Sequence, residues 1–176
     1  RNNYPEHPNA FEANLSQALL YAYYMDEKDS AVASLNQLIA NNRVSPNLKA
    51  KAKIELGDIH LLKEEPWEAT LLYSQVEKSQ RETPAGYEAK LRNAKLSYFK
   101  GEFLLAQEHL DILKQATSRE IANDAIDLSM RIKENTFYDP DGSALKEFAS
   151  IELLVAQNKN ETALERLKNF TVFRKV

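Results

Sequence analysis

Cysteine is absent from the 176-residue chain. That excludes disulfides, thiolate metal sites and a cysteine nucleophile, and it leaves the compartment open. Glycine and proline are scarce, at 4 and 6 residues, too few for the turn-rich connections of an all-β fold. No apolar run approaches the roughly 20 residues that cross a bilayer, so no membrane insertion by this segment is expected. Neither sign of charge dominates: 23 basic and 26 acidic side chains are interspersed and sum to −3, which is no electrostatic footprint for nucleic acid. The 3 histidines, His7, His60 and His109, lie in different segments without His-x-x-x-His spacing, so neither metal nor cofactor is expected. There is no glycine-rich phosphate loop and no Gly-x-Ser-x-Gly elbow. The chain is accordingly not read as an enzyme. Arg1 opens the chain without a methionine and starts no signal peptide, which fits a processed product or an excised segment.

What is present is helix-forming. The chain is 43% hydrophobic and 28% charged, too apolar for disorder. Ala, Leu, Glu, Lys and Gln dominate over the β-branched types, as helices prefer. Residues 1–9 read as a connector, with two prolines and no apolar period. Helices then follow at short intervals, about 10–25 (capped by Asn9), 31–41 (capped by Asp29 or Ser30) and one opened by Ser45-Pro46. Ser-Pro is a strong start, a capping hydroxyl followed by a proline whose missing N–H costs nothing at the first helical position. Pro66 and Thr83-Pro84 open two more, Gly101 marks a break, and helices follow at 102–115, 118–135, 143–156 and 160–169. Asp139, Asp141 and Gly142, in the one irregular loop, read as turn formers and caps. Trp67 is expected to cover a hairpin junction, His60 to pack between helices, and Glu64 and Glu65 to be solvated.

The helices pair, and the pairs recur. Leu56-Gly57 with His60 in one helix and Ala69 with Tyr73 in the next give Leu-Gly-x-x-(aromatic), then Ala-x-x-x-(aromatic). Aligned on small residues, Ala31, Ala69, Ala106 and Ala163 are separated by 38, 37 and 57 positions. Twelve residues before them stand Leu19, Gly57, Ala94 and Ile151. Four after them stand Leu35, Tyr73, Leu110 and Leu167, each large where the anchor is small, so that close approach and gap filling go together.

This pattern resembles the tetratricopeptide repeat, whose period is about 34 residues. The connectors here have each gained about three residues, and PWEATLLYSQVEK with AKLSYFKGEFLLAQEHLDILK is similar to bacterial members of that family. The resemblance implies an all-α fold of about nine helices, a right-handed superhelical stack of antiparallel hairpins forming one domain. Its hairpins would be 10–41, 46–81, 84–117 and 143–170, with 118–135 an extra helix. That helix is either half of a degenerate repeat or the first helix of one completed at Ser143. Leu56, Gly57, Ala69, Tyr73, Ala94, Gly101, Ala106, Ala31 and Ala163 are its structural positions.

The same resemblance implies a non-catalytic protein-binding scaffold that takes a polypeptide on its concave face. Carried over by position, that face holds Ser16, Leu20, Tyr23 and Tyr24, then Ile54, Asp58, Leu61 and Leu62, then Glu88, Leu91, Lys95, Tyr98 and Phe99. About half of these are expected to be core. Tyr23, Tyr24, Asp58, Leu62, Lys95, Tyr98 and Phe99 are the chosen binding residues. Where chaperone-tail-binding members carry a lysine and asparagine carboxylate clamp, this chain has Ser16, Leu20 and Asp58, so that specificity is not implied. The alternative is a self-associating segment of a longer array, with Leu164, Leu167, Phe170 and Phe173 as a raw apolar end.

Overall fold

The computed structural model describes residues 8–116, 118–137, 139 and 141–173. Most of the expected connector, His7, parts of the 136–142 loop and the side chain of Phe173 lie outside them. Among the described residues there are nine helices and no strand: α1 (Pro8–Tyr23), α2 (Lys28–Ala40), α3 (Pro46–Leu62), α4 (Pro66–Ser79), α5 (Pro84–Phe99), α6 (Phe103–Leu113), α7 (Arg119–Thr136), α8 (Ser143–Ala156) and α9 (Asn160–Phe173). The fold is all-α, and none of these helices is long and apolar enough to cross a membrane.

Three helices begin where the prolines require: Pro46, Pro66 and Pro84 each stand at the first position. Ser45 Oγ accepts from Leu48 N at 3.3 Å, the capping bond that its sequence implies. Two caps differ from expectation. Helix α1 starts at Pro8, which puts Asn9 inside the first turn. Helix α2 starts at Lys28 after Glu27, so neither Asp29 nor Ser30 is its cap. The Asp29 carboxylate instead accepts from Lys63 Nζ at 2.7 Å.

Four hairpin turns share one construction. Asp26, Glu64, Gly101 and Asn158 have φ of 56°, 65°, 74° and 60°, each two residues before the second helix of its pair. In the last three, the following N–H reaches back five residues: Glu65 to His60 O, Glu102 to Ser97 O and Lys159 to Leu154 O, at 2.8–2.9 Å. This is the Schellman closure of a helix end. Five residues beyond each turn residue stands an anchor alanine. Ala31, Ala69, Ala106 and Ala163 donate to the carbonyls of Glu27, Glu65, Glu102 and Lys159 at 2.9–3.3 Å. Of these four, Gly101 alone takes the left-handed conformation without steric cost.

The chain divides into two compact units, Arg1–Ala85 and Gly86–Val176. In the first, Phe11, Ala18 and Ala22 of α1 meet Ala31, Leu35 and Leu38 of α2 and Ala52, Leu56 and Ile59 of α3. Helix α4 closes on α3 through Gly57: a Cβ there would lie 2.9 Å from Tyr73 Cζ and nearer still to Cε1. In the second unit, one core joins Leu91, Ala94 and Tyr98 of α5, Ala106, Leu110 and Leu113 of α6, Ala125, Leu128 and Ile132 of α7, and Leu145 and Ala149 of α8. Helix α7 packs on α6 and touches α8, while α8 pairs with α9.

The large residue four positions after each anchor is fully enclosed at Leu35, Tyr73 and Leu110, but Leu167 is 37% exposed. Helix α9 rests on α8 with Phe170 against Phe148, ring centroids 6.3 Å apart, and Leu164 and Leu167 are left outside. Trp67 does not cover its hairpin junction; it is 78% exposed. The backbone bonds at Glu65 already close that turn, and His60 Nδ1 lies 2.6 Å from Glu65 Oε2. Glu65 is thus engaged by His60 rather than only solvated, and Glu64 is exposed.

Candidate binding surfaces

In the first unit, α1 ends in a strip of large side chains facing solvent: Leu20, Tyr23, Tyr24 and Met25 are 52%, 44%, 82% and 58% exposed. The last turn of α1 departs from helix geometry here, with both Tyr24 N and Met25 N directed at Leu20 O. Tyr23 Oη donates to Glu55 Oε2 of α3 at 3.4 Å, which sets the strip beside α3. Leu61 and Leu62 are half-buried and Ile54 is core. Asp58 is held inward by Tyr73, whose Oη donates to its Oδ1 at 2.6 Å. Its carboxylate therefore locks the α3–α4 hairpin as well as lining a surface. Ser16 is exposed and bonds back to Glu12 O of its own helix.

The second unit brings the remaining chosen residues together differently. Tyr98 is 1% exposed, so it is a core side chain rather than an open contact. Its ring lies against Phe99 and Phe103, at 5.8 and 5.9 Å, and its Oη donates to Glu152 Oε2 of α8 at 2.6 Å. Burial raises its phenol above the ordinary tyrosine range, and the carboxylate acceptor raises it further. Arg131 of α7 donates to the other oxygen of Glu152 at 2.8 Å. Lys95 reaches Asp124 of α7 at 3.2 Å, and Glu88 pairs with Arg92 along α5 at 2.9 Å. Leu91 is core and Phe99 half-buried.

Around the Arg131–Glu152 pair lie two open clefts. One, of about 370 Å³, is bounded by Lys95, Tyr98, Phe99, Asp124, Asp127 and Leu128. The other, of about 390 Å³, is bounded by Asn135, Ala144, Leu145, Phe148 and Phe170. Arg131 and Glu152 line both. Sequence reasoning missed every α7 and α8 member of this surface and read Phe170 of α9 only as part of an apolar end. The signal was there in α7: Asp124, Asp127, Arg131 and Asn135 follow at +3, +7 and +11, one helical face.

The residues expected at structural positions lie inside: Ala31, Leu56, Ala69, Tyr73, Ala94, Ala106 and Ala163 are all buried, Gly57 with them, and Gly101 is half-buried at its turn. Among the described residues no group of three or more His, Asp and Glu side chains is placed to hold a metal ion. Comparison with protein-family models, with curated proteins and with solved structures finds no match to this chain.

Proposed function

We propose that the chain is a tetratricopeptide-like interaction module, a right-handed stack of helical hairpins that binds a polypeptide segment and carries out no catalysis. The repeated turn supports the architecture: four hairpins place an alanine five residues after a left-handed residue, at the sequence intervals of the anchors. The observation that carries the binding is the α1 strip, where Leu20, Tyr23, Tyr24 and Met25 stand exposed in sequence. Large apolar side chains exposed together mark contact sites more often than bare solvent surface, and they suit a peptide with apolar anchors.

The test is to pan a displayed peptide library on the full chain and measure the enriched peptides by fluorescence anisotropy. The reading predicts saturable binding, weakened by Leu20→Ser with Tyr24→Ser or by changes in the second unit's clefts, with the helical circular dichroism unchanged. No enriched peptide, or peptides indifferent to all of these changes, contradicts it.

A second reading, a self-associating segment of a longer array, draws on α8 and α9. Val155 and Leu164 are each 53% exposed there, and the end of a repeat stack needs a polar cap to stay soluble alone. Light scattering that shows a strict monomer at high concentration contradicts this second reading.

A further inference from the structure

The helix that interrupts the repeat also makes a groove. The α7 face from Asp124 to Asn135 runs eleven residues, about 16 Å at the helical rise, and lines both clefts. That length matches about five residues of extended peptide.

The two ends of this groove differ in chemistry. At the Lys95 end, three carboxylates (Asp124, Asp127 and Glu152) face two cations. Lys95 engages Asp124 at 3.2 Å and Arg131 engages Glu152 at 2.8 Å, which leaves Asp127 without an ion-pair partner among the described residues. It is exposed and lines the same cleft as the half-buried Phe99 ring. A carboxylate next to an aromatic ring suits a lysine or arginine, whose charge pairs with the acid and whose stem or guanidinium lies on the ring. At the other end, Leu145, Phe148 and Phe170 supply an apolar wall. The Arg131–Glu152 pair separates the ends. It is internally neutral and held from below by the Tyr98 hydroxyl, so it presents little net charge to either sign.

We infer that this groove binds a short polypeptide segment carrying one basic side chain, seated at Asp127, and one large apolar side chain, seated at Phe148 and Phe170. The inference rests on the polypeptide-binding reading and adds the ligand's chemistry and its place.

The experiment pans one displayed peptide library separately on the full wild-type chain, Asp127→Lys and Ala144→Phe. Asp127 is exposed and Ala144 borders the open cleft, so both variants are checked for unchanged circular dichroism before use. The expected result is wild-type enrichment of Lys or Arg together with an aromatic or large aliphatic residue. Asp127→Asn then weakens these peptides about two- to fivefold, the scale of an exposed ion pair. Asp127→Lys shifts the selection from basic to acidic residues, and Ala144→Phe, which fills the second cleft, removes the apolar preference while keeping the basic one. Peptides that bind but respond only to Leu20→Ser and Tyr24→Ser overturn this inference and leave the general function standing. No enriched peptide at all overturns both. Self-association that is abolished by Asp127→Lys and excludes peptide makes the occupant a second copy, and also overturns the inference.

Discussion

Among the described residues, each unit has a buried tyrosine pinned to a carboxylate, and the two pins differ in reach. Tyr73 Oη meets Asp58 across a single hairpin, 15 residues away, at 2.6 Å. Tyr98 Oη meets Glu152 at the same 2.6 Å, but 54 residues away and across α7. Both rings are 1% exposed, so the burial energy is alike. What differs is which parts of the chain each pin fastens. The first completes a motif written in consecutive residues. The second ties α5 to α8, and so depends on helices far apart in the chain being brought together.

The heaviest blow to either pin is removal of the ring. Tyr73→Ala and Tyr98→Ala should each cost about 3–5 kcal/mol in denaturant unfolding, the range for deleting a buried aromatic. Amide exchange should separate them: the first loosening α3 and α4, the second loosening α8 as well as α5. Equal loosening of the whole chain by both would erase the distinction between local and long-range pins.

Next comes the close approach on which only the first pin depends. Gly57→Val should destabilise by about 1–3 kcal/mol, because the new methyl groups enter space held by the Tyr73 ring. Combining it with Tyr73→Leu should recover part of that loss in a double-mutant cycle. Strict additivity would show that the two side chains do not share the space.

Tyr98→Phe keeps the ring and removes the hydroxyl, at about 1 kcal/mol near neutral pH, since Arg131 still pairs with Glu152. Its pH dependence is the sharper readout. The folded phenol titrates above the unfolded one, so its contribution is complete below about pH 10 and drains away above it, as the unfolded chain ionises first. Wild type should lose up to about 1.4 kcal/mol more per pH unit in that alkaline range than Tyr98→Phe. Parallel profiles would contradict the buried pin.

The smallest effect belongs to a link at the surface. Lys63 holds Asp29 at 2.7 Å and, through that hydrogen bond, keeps its carboxyl below the usual range. The Asp29 side chain is 91% exposed, so solvent and salt screen the pair. Lys63→Ala should barely move the melting temperature, and that little should vanish in high salt. A large shift would mean that this link carries load as the tyrosine pins do.

The comparison also explains what the residues disclosed in advance. The prolines at 46, 66 and 84, the Ser45 cap and the four anchor alanines are local signals, and the helices they predict are present. Leu35, Tyr73 and Leu110 are enclosed for the same reason, each four residues after the small anchor of its own helix. The break at Gly101 is legible by residue type, whereas the left-handed conformation at Glu64 is not, because its side chain does not favour it. Carried over by position from the repeat, Tyr98 falls on the concave face; the arrival of α8 encloses it. Trp67 was placed over a junction that backbone hydrogen bonds already seal. The Arg131–Glu152 groove draws on four helices, α5, α7, α8 and α9; the spacing within α7 marks one polar face, but not the neighbours that make it a groove.

The central claim is that these helix surfaces hold a polypeptide. Its most direct test is amide exchange of the full chain with and without a saturating enriched peptide. The account predicts slowed exchange at the end of α1, around Leu20–Met25, or along α7 and α8 beside Arg131 and Glu152, with the buried cores little changed. Binding that protects neither region, or no saturable peptide from any selection, would contradict it.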